Sequence, residues 1–203
     1  MLTLHGFLFS GHDYRVRLAL RELGLPFRYQ EVDLLKGETR KADFLAKNPA
    51  GQVPVLELAD GTRLVESNAI LFYLGEDTHL LPADRLSKTR VLQWMCFEQS
   101  NIGPVIGRAR FRRTFPQVVP TRPEEFEGWL AHGTRALRVL DAELSQRPFI
   151  VGEALTIADL ALYSYTHVAG AGGFDLTPFE HVQRWFARIE ARPAHVAIDV
   201  LPV

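Results

Sequence analysis

The sequence predicts an α/β domain followed by an all-helical domain. Up to about residue 76, strand-like alternation and helix-like spacing of apolar residues take turns along the chain. After the proline-containing connector Leu80-Leu81-Pro82-Ala83-Asp84, apolar residues recur only at helical spacing. We therefore expect an α/β domain at residues 1–76, a linker at 77–86 and an all-helical domain at 87–203.

The first three elements are predicted to be a strand, a helix and a strand. Residues 1–5 alternate apolar and polar side chains, as a strand does. Apolar residues then recur at helical spacing over 16–23, and Gly24 with Pro26 just beyond it marks the end of a helix. The period of two resumes over 27–32, which predicts the second strand.

The next elements complete the first domain. A short helix is predicted at Phe44-Leu45, and two strands, 55–58 and 63–65, flank an Asp-Gly turn at 59–62 that is typical of a hairpin. A helix with apolar residues over 70–74 follows. The order β-α-β-α-β-β-α predicts a four-stranded mixed sheet covered by helices, the thioredoxin-like arrangement.

The second half contains helical patterns only. A helix is predicted from about Ser87, and a long one runs through residues 126–144 after a capping-box pattern formed by Thr121 and Glu124. A second capping-box pattern, Thr156-Ile157-Ala158-Asp159, is interpreted as a folding signal. The last predicted helix carries apolar residues over 182–189.

The composition argues against nucleic-acid and membrane partners. Hydrophobic residues make up 47% of the chain, charged residues 23%, and the formal net charge is −1. This charge leaves no overall basic surplus, although residues 108–113 form a local basic run. The first residues show no signal-peptide pattern, and no segment approaches the ~18 apolar residues of a spanning helix. We therefore expect a cytoplasmic protein.

The cysteine and histidine patterns favour neither redox nor metal chemistry. Cys96 is the single cysteine, which excludes an internal disulfide and a two-thiol redox motif. It lies in an apolar helical pattern with Leu92 and Met95, so we expect it to be buried. The seven histidines show no spacing typical of metal ligands, and no metal is predicted.

The most informative stretch is Asn48-Pro49-Ala50-Gly51-Gln52-Val53-Pro54-Val55-Leu56. Pro54 removes one backbone donor and holds Val53 extended, so Val53 can offer its own N–H and C=O to a peptide. Glu66 and Ser67 lie where a strand gives way to a helix, whose first N–H groups attract a carboxylate. Glu66 can pair with an ammonium group. These features predict a site for a small, extended, zwitterionic peptide.

Together these segments resemble the soluble glutathione transferase family over nearly the whole chain. In that family an N-terminal thioredoxin-like domain binds glutathione, and an all-helical C-terminal domain supplies most of the second-substrate pocket. The resemblance implies that Glu66 and Ser67 hold the γ-glutamyl end, that the backbone of Val53 pairs with the cysteinyl unit and that Pro54 is cis. The glycyl end would lie near Gln52, with Lys36 and Lys41 as weaker candidates.

The resemblance also implies Ser10 as the catalytic residue. In serine-type members the hydroxyl comes from the loop before the first helix, and Ser10 with the run Tyr14-Arg15-Val16-Arg17 is similar to zeta-type members. A free thiol has a pKa of ~8.5, and lowering it by ~2 units requires ~2.7 kcal/mol of anion stabilisation. A hydrogen bond from Ser10 and the helix N–H groups can supply this. The rival sulfur contacts are the Gly11 N–H, His12 and Tyr14.

Two weaker sets of residues follow from the same resemblance. The acceptor substrate would lodge between the loop at 7–12 and the helix that carries the basic run. The expected pocket residues are Phe7, His12, Tyr14, Arg108, Phe111 and Arg112. In a homodimer, Glu98 and Asn101 would reach the glutathione amino group of the partner subunit.

The expected activity is therefore that of a cytoplasmic, homodimeric detoxification enzyme that conjugates glutathione to small electrophiles. A glutathione-dependent isomerase of the maleylacetoacetate type is an alternative, but Ser10-Gly11-His12 stands where that type carries Ser-Ser-Cys. Glutathione-dependent disulfide reduction is a further alternative. The same fold also serves as a non-catalytic interaction module.

Overall fold

The computed structural model describes residues 1–202 and divides them into two compact units. The first unit combines Met1–Thr78 with residues 193–202, and the second unit is His79–Arg192. The prediction had assigned residues 193–202 to the helical domain. The structure differs because this segment, called here the C-terminal segment, bonds to side chains of the first helix.

The first unit is built on a four-stranded mixed sheet with the strand order β2-β1-β3-β4. β1 (Leu2–Gly6) runs parallel to β2 (Phe27–Glu31) and antiparallel to β3 (Val55–Glu57). β3 pairs antiparallel with β4 (Arg63–Leu64). This topology confirms the predicted thioredoxin-like domain.

The helices of the first unit are α1 (Gly11–Glu22), α2 (Ala42–Leu45) and α3 (Ser67–Gly75). α1 contacts α3, and α1 is buried on nearly all sides over residues 13–20. The core of this unit includes the fully buried side chains Leu4, Leu20, Leu56, Ile70 and Leu71.

The second unit consists of helices, which confirms the predicted all-helical domain. They are α4 (Arg85–Asn101), α5 (Arg108–Thr114), α6 (Pro123–Leu144), α7 (Ile157–Thr166) and α8 (Glu180–Glu190), with a π-helical segment at Gly103–Gly107. Among residues 1–202, no helix is both long and apolar enough to cross a bilayer.

The capping box of α6 lies one residue later than predicted. The predicted pair was Thr121 and Glu124, but the backbone N–H of Arg122 donates to the carboxylate of Glu125 at 3.1 Å. Pro123 is the first helical residue, where a missing N–H does no harm. The proline therefore determines which residue begins the helix.

The start of α7 contains the predicted capping box. One oxygen of Asp159, Oδ2, accepts from the N–H and the hydroxyl of Thr156, both at 2.9 Å. The other oxygen, Oδ1, accepts from the Ile150 N–H at 2.8 Å and the Trp185 Nε1–H at 3.0 Å. Asp159 is fully buried, and burial raises its pKa while these four hydrogen bonds oppose the change. The box therefore joins α7, α8 and the loop before α7.

The prediction that Cys96 is buried is wrong, since its side chain is exposed on α4. The buried residues of α4 are Val91, Trp94, Met95 and Glu98, which follow one helical face. Leu92 and Cys96 are one turn apart on another face, and Leu92 is 51% exposed. The apolar residues of α4 therefore cover more than the face that packs inward.

Candidate functional site

The loop before β3 presents Val53 beside a cis peptide bond to Pro54, as the resemblance implied. The buried Asn48 side chain holds this loop, because its Nδ2 donates to the Gln52 carbonyl at 2.8 Å. Gly51 has a φ of 63°, and a Cβ atom there would come within 3.0 Å of a backbone carbonyl oxygen. Only glycine fits this turn without strain. Val53 itself is partly exposed.

Glu66 and Ser67 lie at the start of α3. Glu66 is exposed and has φ 65° and ψ 104°, a conformation that is costly for a residue with a side chain. Ser67 is buried, and its Oγ lies 3.2 Å from His12 Nδ1 and 3.5 Å from Arg15 Nη1. Arg15 Nη1 also donates to Asn68 Oδ1 at 2.8 Å. The start of α3 therefore combines an unusual backbone, a hydroxyl and a nearby guanidinium.

Ser10 is the residue that caps α1. Its N–H donates to the Phe7 carbonyl at 2.8 Å, which closes a four-residue turn, and its Oγ accepts from the Asp13 N–H at 3.4 Å. A hydroxyl that accepts one hydrogen bond can still donate its own proton. The partly buried Ser10 hydroxyl therefore still has a proton to donate at the positive end of a helix.

His12 is directed toward Ser67 through the contact described above. Burial, with a smaller contribution from Arg15, lowers the pKa of His12 to about 3. The imidazole is therefore neutral at physiological pH and acts only as a neutral donor or acceptor. This places His12 beside the predicted γ-glutamyl site, whereas the prediction from sequence assigns it to the second-substrate pocket.

The structure does not support the roles predicted for Tyr14. Tyr14 is fully buried, and its hydroxyl donates to the Val196 carbonyl at 2.6 Å and lies 3.2 Å from His195 Nε2. Phe7 is also buried. Tyr14 therefore anchors the C-terminal segment, and its hydroxyl is not available to a thiol or an acceptor substrate.

Charged side chains pair inside the first unit next to Ser10. Arg17 Nε donates to Asp13 Oδ2 at 2.8 Å, and both side chains are fully buried. The Tyr29 hydroxyl donates to the same oxygen at 3.1 Å. Burial raises the pKa of Asp13 to about 7, against the opposing effect of Arg17. These residues form a buried polar cluster under the start of α1.

The remaining predicted pocket and partner residues lie in the second unit. Arg108 is exposed on α5, whereas Phe111 and Arg112 are partly exposed. Glu98 is fully buried on α4, which argues against its predicted contact with a partner subunit. Asn101 Oδ1 is 3.1 Å from His132 Nε2, so its amide is already engaged within the unit.

The candidates for the glycyl end are exposed in the first unit. Lys36 Nζ pairs with Asp33 at 3.0 Å and Lys41 Nζ with Glu38 at 3.3 Å. Gln52 is exposed beside Val53. Within residues 1–202, no cluster of three or more histidine, cysteine or acidic side chains has the arrangement of a metal site.

Sequence reasoning missed Asp13, Arg15 and Arg17 as residues that organise the site. A signal for them was present, because the apolar residues of α1 lie on more than one face of the helix. These residues are Val16, Leu18, Ala19 and Leu20. A helix that is apolar on all sides is buried, and buried charges need partners. The three charged residues in this stretch were therefore candidates for an internal polar network.

Comparison with known proteins identifies the family. A model of the glutathione S-transferase N-terminal domain matches residues 9–77, and one of the C-terminal domain matches residues 114–193. The crystal structure of a glutathione S-transferase from Pseudomonas fluorescens Pf-5 is 45% identical, with a TM-score of 0.94 over 97% of this chain and 98% of that chain.

Two further relatives bear on function. The disulfide-bond oxidoreductase YfcG of Escherichia coli K12 is 32% identical over 193 residues, which is 91% of this chain and 87% of the relative. A glutathione transferase family member from Pseudomonas fluorescens Pf-5, solved with two glutathione molecules bound, is 27% identical with a TM-score of 0.83 over 95% of this chain and 89% of that chain. With both domain models matched in order, the chain belongs to the glutathione S-transferase family.

Proposed function

We propose that the protein binds glutathione in its first unit and activates it as a thiolate for attack on an electrophilic small molecule. The observation that carries this proposal is the contact between two helix starts. His12 Nδ1, in the first turn of α1, lies 3.2 Å from Oγ of Ser67, the first residue of α3. One tripeptide can therefore meet both helix starts, with its γ-glutamyl carboxylate at Ser67 and its sulfur at Ser10.

The binding groups suit the two ends of the tripeptide. The exposed Glu66 carboxylate pairs with the γ-glutamyl ammonium group, and the Arg15 guanidinium near Ser67 favours the adjacent carboxylate. The backbone of Val53 pairs with the cysteinyl unit, and Gln52 meets the glycyl end. The relative solved with glutathione bound supports this choice of ligand.

The chemistry then requires that sulfur be held as an anion. Ser10 donates its hydroxyl proton in a hydrogen bond to sulfur, and the positive end of α1 adds to the stabilisation. Lowering the thiol pKa by ~2 units requires ~2.7 kcal/mol, which such groups can supply. Holding thiolate and acceptor together lowers the barrier further without another acid or base.

Glutathione-dependent disulfide reduction is the second candidate, and similarity to YfcG favours it. Cys96 lies on α4 in the second unit, so the first unit contains no protein thiol for exchange. Glutathione would therefore supply the attacking sulfur in this reaction as well. Parallel assays with a chloronitrobenzene and with a small organic disulfide separate conjugation from reduction.

Isomerase activity and a non-catalytic role have less support. The segment Ser10-Gly11-His12 at the start of α1 lacks the second serine and the cysteine of the maleylacetoacetate type. A non-catalytic module has no need of the Glu66-Ser67 pair or of a hydroxyl at the start of α1. We also propose that the protein is a cytoplasmic homodimer. Light scattering of the purified protein tests its oligomeric state.

The proposal is tested by titrating the thiolate absorbance of bound glutathione. We expect the wild-type protein to lower the thiol pKa and Ser10→Ala to raise it again by about 1 to 2 units, because one charge-assisted hydrogen bond is lost. Ser100→Ala, an exposed serine on α4, is the control and should leave the titration unchanged. Absence of any binding to immobilised glutathione would refute the proposal.

A further inference from the structure

The turn that carries Ser10 is held by charged side chains on both sides of one residue, Leu8. The N–H of Leu8 donates to the two carboxylate oxygens of Glu31 at 3.3 and 3.2 Å. The C=O of Leu8 accepts from Arg17 Nη2 at 2.7 Å. Leu8 is the second residue of the turn that the Ser10 N–H closes onto the Phe7 carbonyl. Both polar groups of this residue are therefore bound by side chains from other elements.

The Arg17 guanidinium is itself fixed by three further contacts. Its Nε donates to Asp13 Oδ2 at 2.8 Å, its Nη2 also donates to the Ile198 carbonyl at 2.9 Å, and its Nη1 donates to the Val200 carbonyl at 3.1 Å. The side chain is fully buried. A planar guanidinium with this set of acceptors has one orientation, so it defines where the Leu8 carbonyl lies.

A second connection runs from Arg17 to Ser10 through Asp13. Asp13 is in the first turn of α1, and its N–H donates to Ser10 Oγ at 3.4 Å. Its carboxylate accepts from Arg17 and from the Tyr29 hydroxyl. A Cβ atom at Gly6 would overlap this carboxylate, which explains the glycine that ends β1. Arg17 therefore contacts Leu8 in the turn and Asp13, whose N–H donates to Ser10.

We propose that Arg17 is a positioning residue for the sulfur site. Together with Glu31 and the carbonyls of the C-terminal segment, it fixes the turn at 7–10 so that the Ser10 hydroxyl points at the glutathione sulfur. This inference rests on the proposed function. It extends the set of residues that organise the site to a buried arginine and to the C-terminal segment.

The test compares Arg17→Lys with Arg21→Lys. Lysine keeps the charge at residue 17 but cannot bind Asp13, Leu8 and two carbonyls at once. We expect Arg17→Lys to raise the pKa of the bound thiol by about 1 unit and to lower kcat by about tenfold, with a smaller change in the KM for glutathione. Arg21 is exposed in the last turn of α1 and donates to the Ala194 carbonyl at 3.1 Å, so Arg21→Lys should leave the thiol pKa unchanged.

The titration separates positioning from a general structural role. A purely structural arginine would lower the melting temperature on substitution and leave the pKa of the bound thiol at its wild-type value, and that result would overturn the inference. Should Arg17→Lys not fold, Glu31→Gln decides, because Glu31 is exposed and the substitution weakens the hydrogen bonds from the Leu8 N–H. We expect Glu31→Gln to raise the thiol pKa by a few tenths of a unit, and no shift would again overturn the inference.

The outcome for the wild-type protein distinguishes the two proposals. A thiol pKa that is lowered in the wild type and raised by Ser10→Ala, but unchanged in Arg17→Lys and Glu31→Gln, rejects only the positioning role. A thiol pKa that is not lowered in the wild type rejects the proposed function, and the positioning role with it.

Discussion

Ser10 and Ser67 are two buried or half-buried hydroxyls that are oriented by different means. Ser67 Oγ is contacted by side chains, the neutral imidazole of His12 and the guanidinium of Arg15. Ser10 is oriented by backbone, through the turn at 7–10 and the Asp13 N–H. A change of charge near Ser67 should therefore alter the affinity for the glutathione carboxylate. A change in the turn at 7–10 should instead alter the pKa of the bound thiol.

The low pKa of His12 makes stability depend on pH. The folded pKa of about 3 lies below the unfolded value of 6.5, so the unfolded chain takes up a proton first as the pH falls. The contribution of His12 is complete above pH 6.5 and is lost as the pH falls toward 3. We expect up to about 2 kcal/mol of the unfolding free energy to be lost between pH 6.5 and 5 through this residue.

Urea unfolding of the wild type and of His12→Asn at several pH values measures this contribution. Asparagine does not titrate, so the unfolding free energy of His12→Asn should depend less on pH over the same range. His79→Asn, an exposed histidine of the second unit, is the control and should follow the wild type. Parallel pH profiles for wild type and His12→Asn would show that His12 takes up a proton in the folded state.

The start of α7 and the start of α4 use the same residue type in different surroundings. Asp84 caps α4 by accepting from the Ser87 N–H at 2.9 Å, and it is exposed. Asp159 near the start of α7 is fully buried and accepts four hydrogen bonds. The first contact is local, whereas the second joins α7 to α8 through Trp185.

Asp159→Asn should destabilise the second unit by about 3 kcal/mol. Each carboxylate oxygen of Asp159 receives two donors, so the amide nitrogen of asparagine faces two N–H or O–H groups whichever way it turns. Asp84→Asn is the matched control and should change stability by no more than about 0.5 kcal/mol, since asparagine is an equally good cap. Thermal unfolding of both variants measures the difference, and equal losses would contradict the argument.

The main helices could be predicted from the spacing of apolar residues, but their exact first residues and buried faces could not. The predicted cap of α6 was one residue early, because both Thr121-Glu124 and Arg122-Glu125 offer an acid at the same separation, and Pro123 decides between them. Cys96 was assigned to the wrong face of α4, since apolar residues occur on both faces of that helix. Both errors concern rotation or register, which packing determines.

For the whole chain, the local motifs could be predicted and the long-range contacts could not. The cis bond at Pro54 and the strand-to-helix junction at Glu66-Ser67 follow from short segments and the family resemblance. The Tyr14-Arg15-Val16-Arg17 run was linked to an enzyme type, but Tyr14 and Arg17 bind carbonyls about 180 residues away in sequence. No local pattern in the sequence contains that information.

The first unit is therefore discontinuous along the chain, and its stability should depend on the C-terminal segment. A chain that ends at Arg192 loses the carbonyls that accept from the buried Tyr14 hydroxyl and Arg17 guanidinium. Each buried donor left without an acceptor costs about 1 to 3 kcal/mol, so α1 should lose hydrogen-exchange protection while α6 keeps it. A chain that ends at Leu201 retains these acceptors and should match the 203-residue chain. Equal protection of α1 in both shortened chains would show that the segment does not stabilise the first unit.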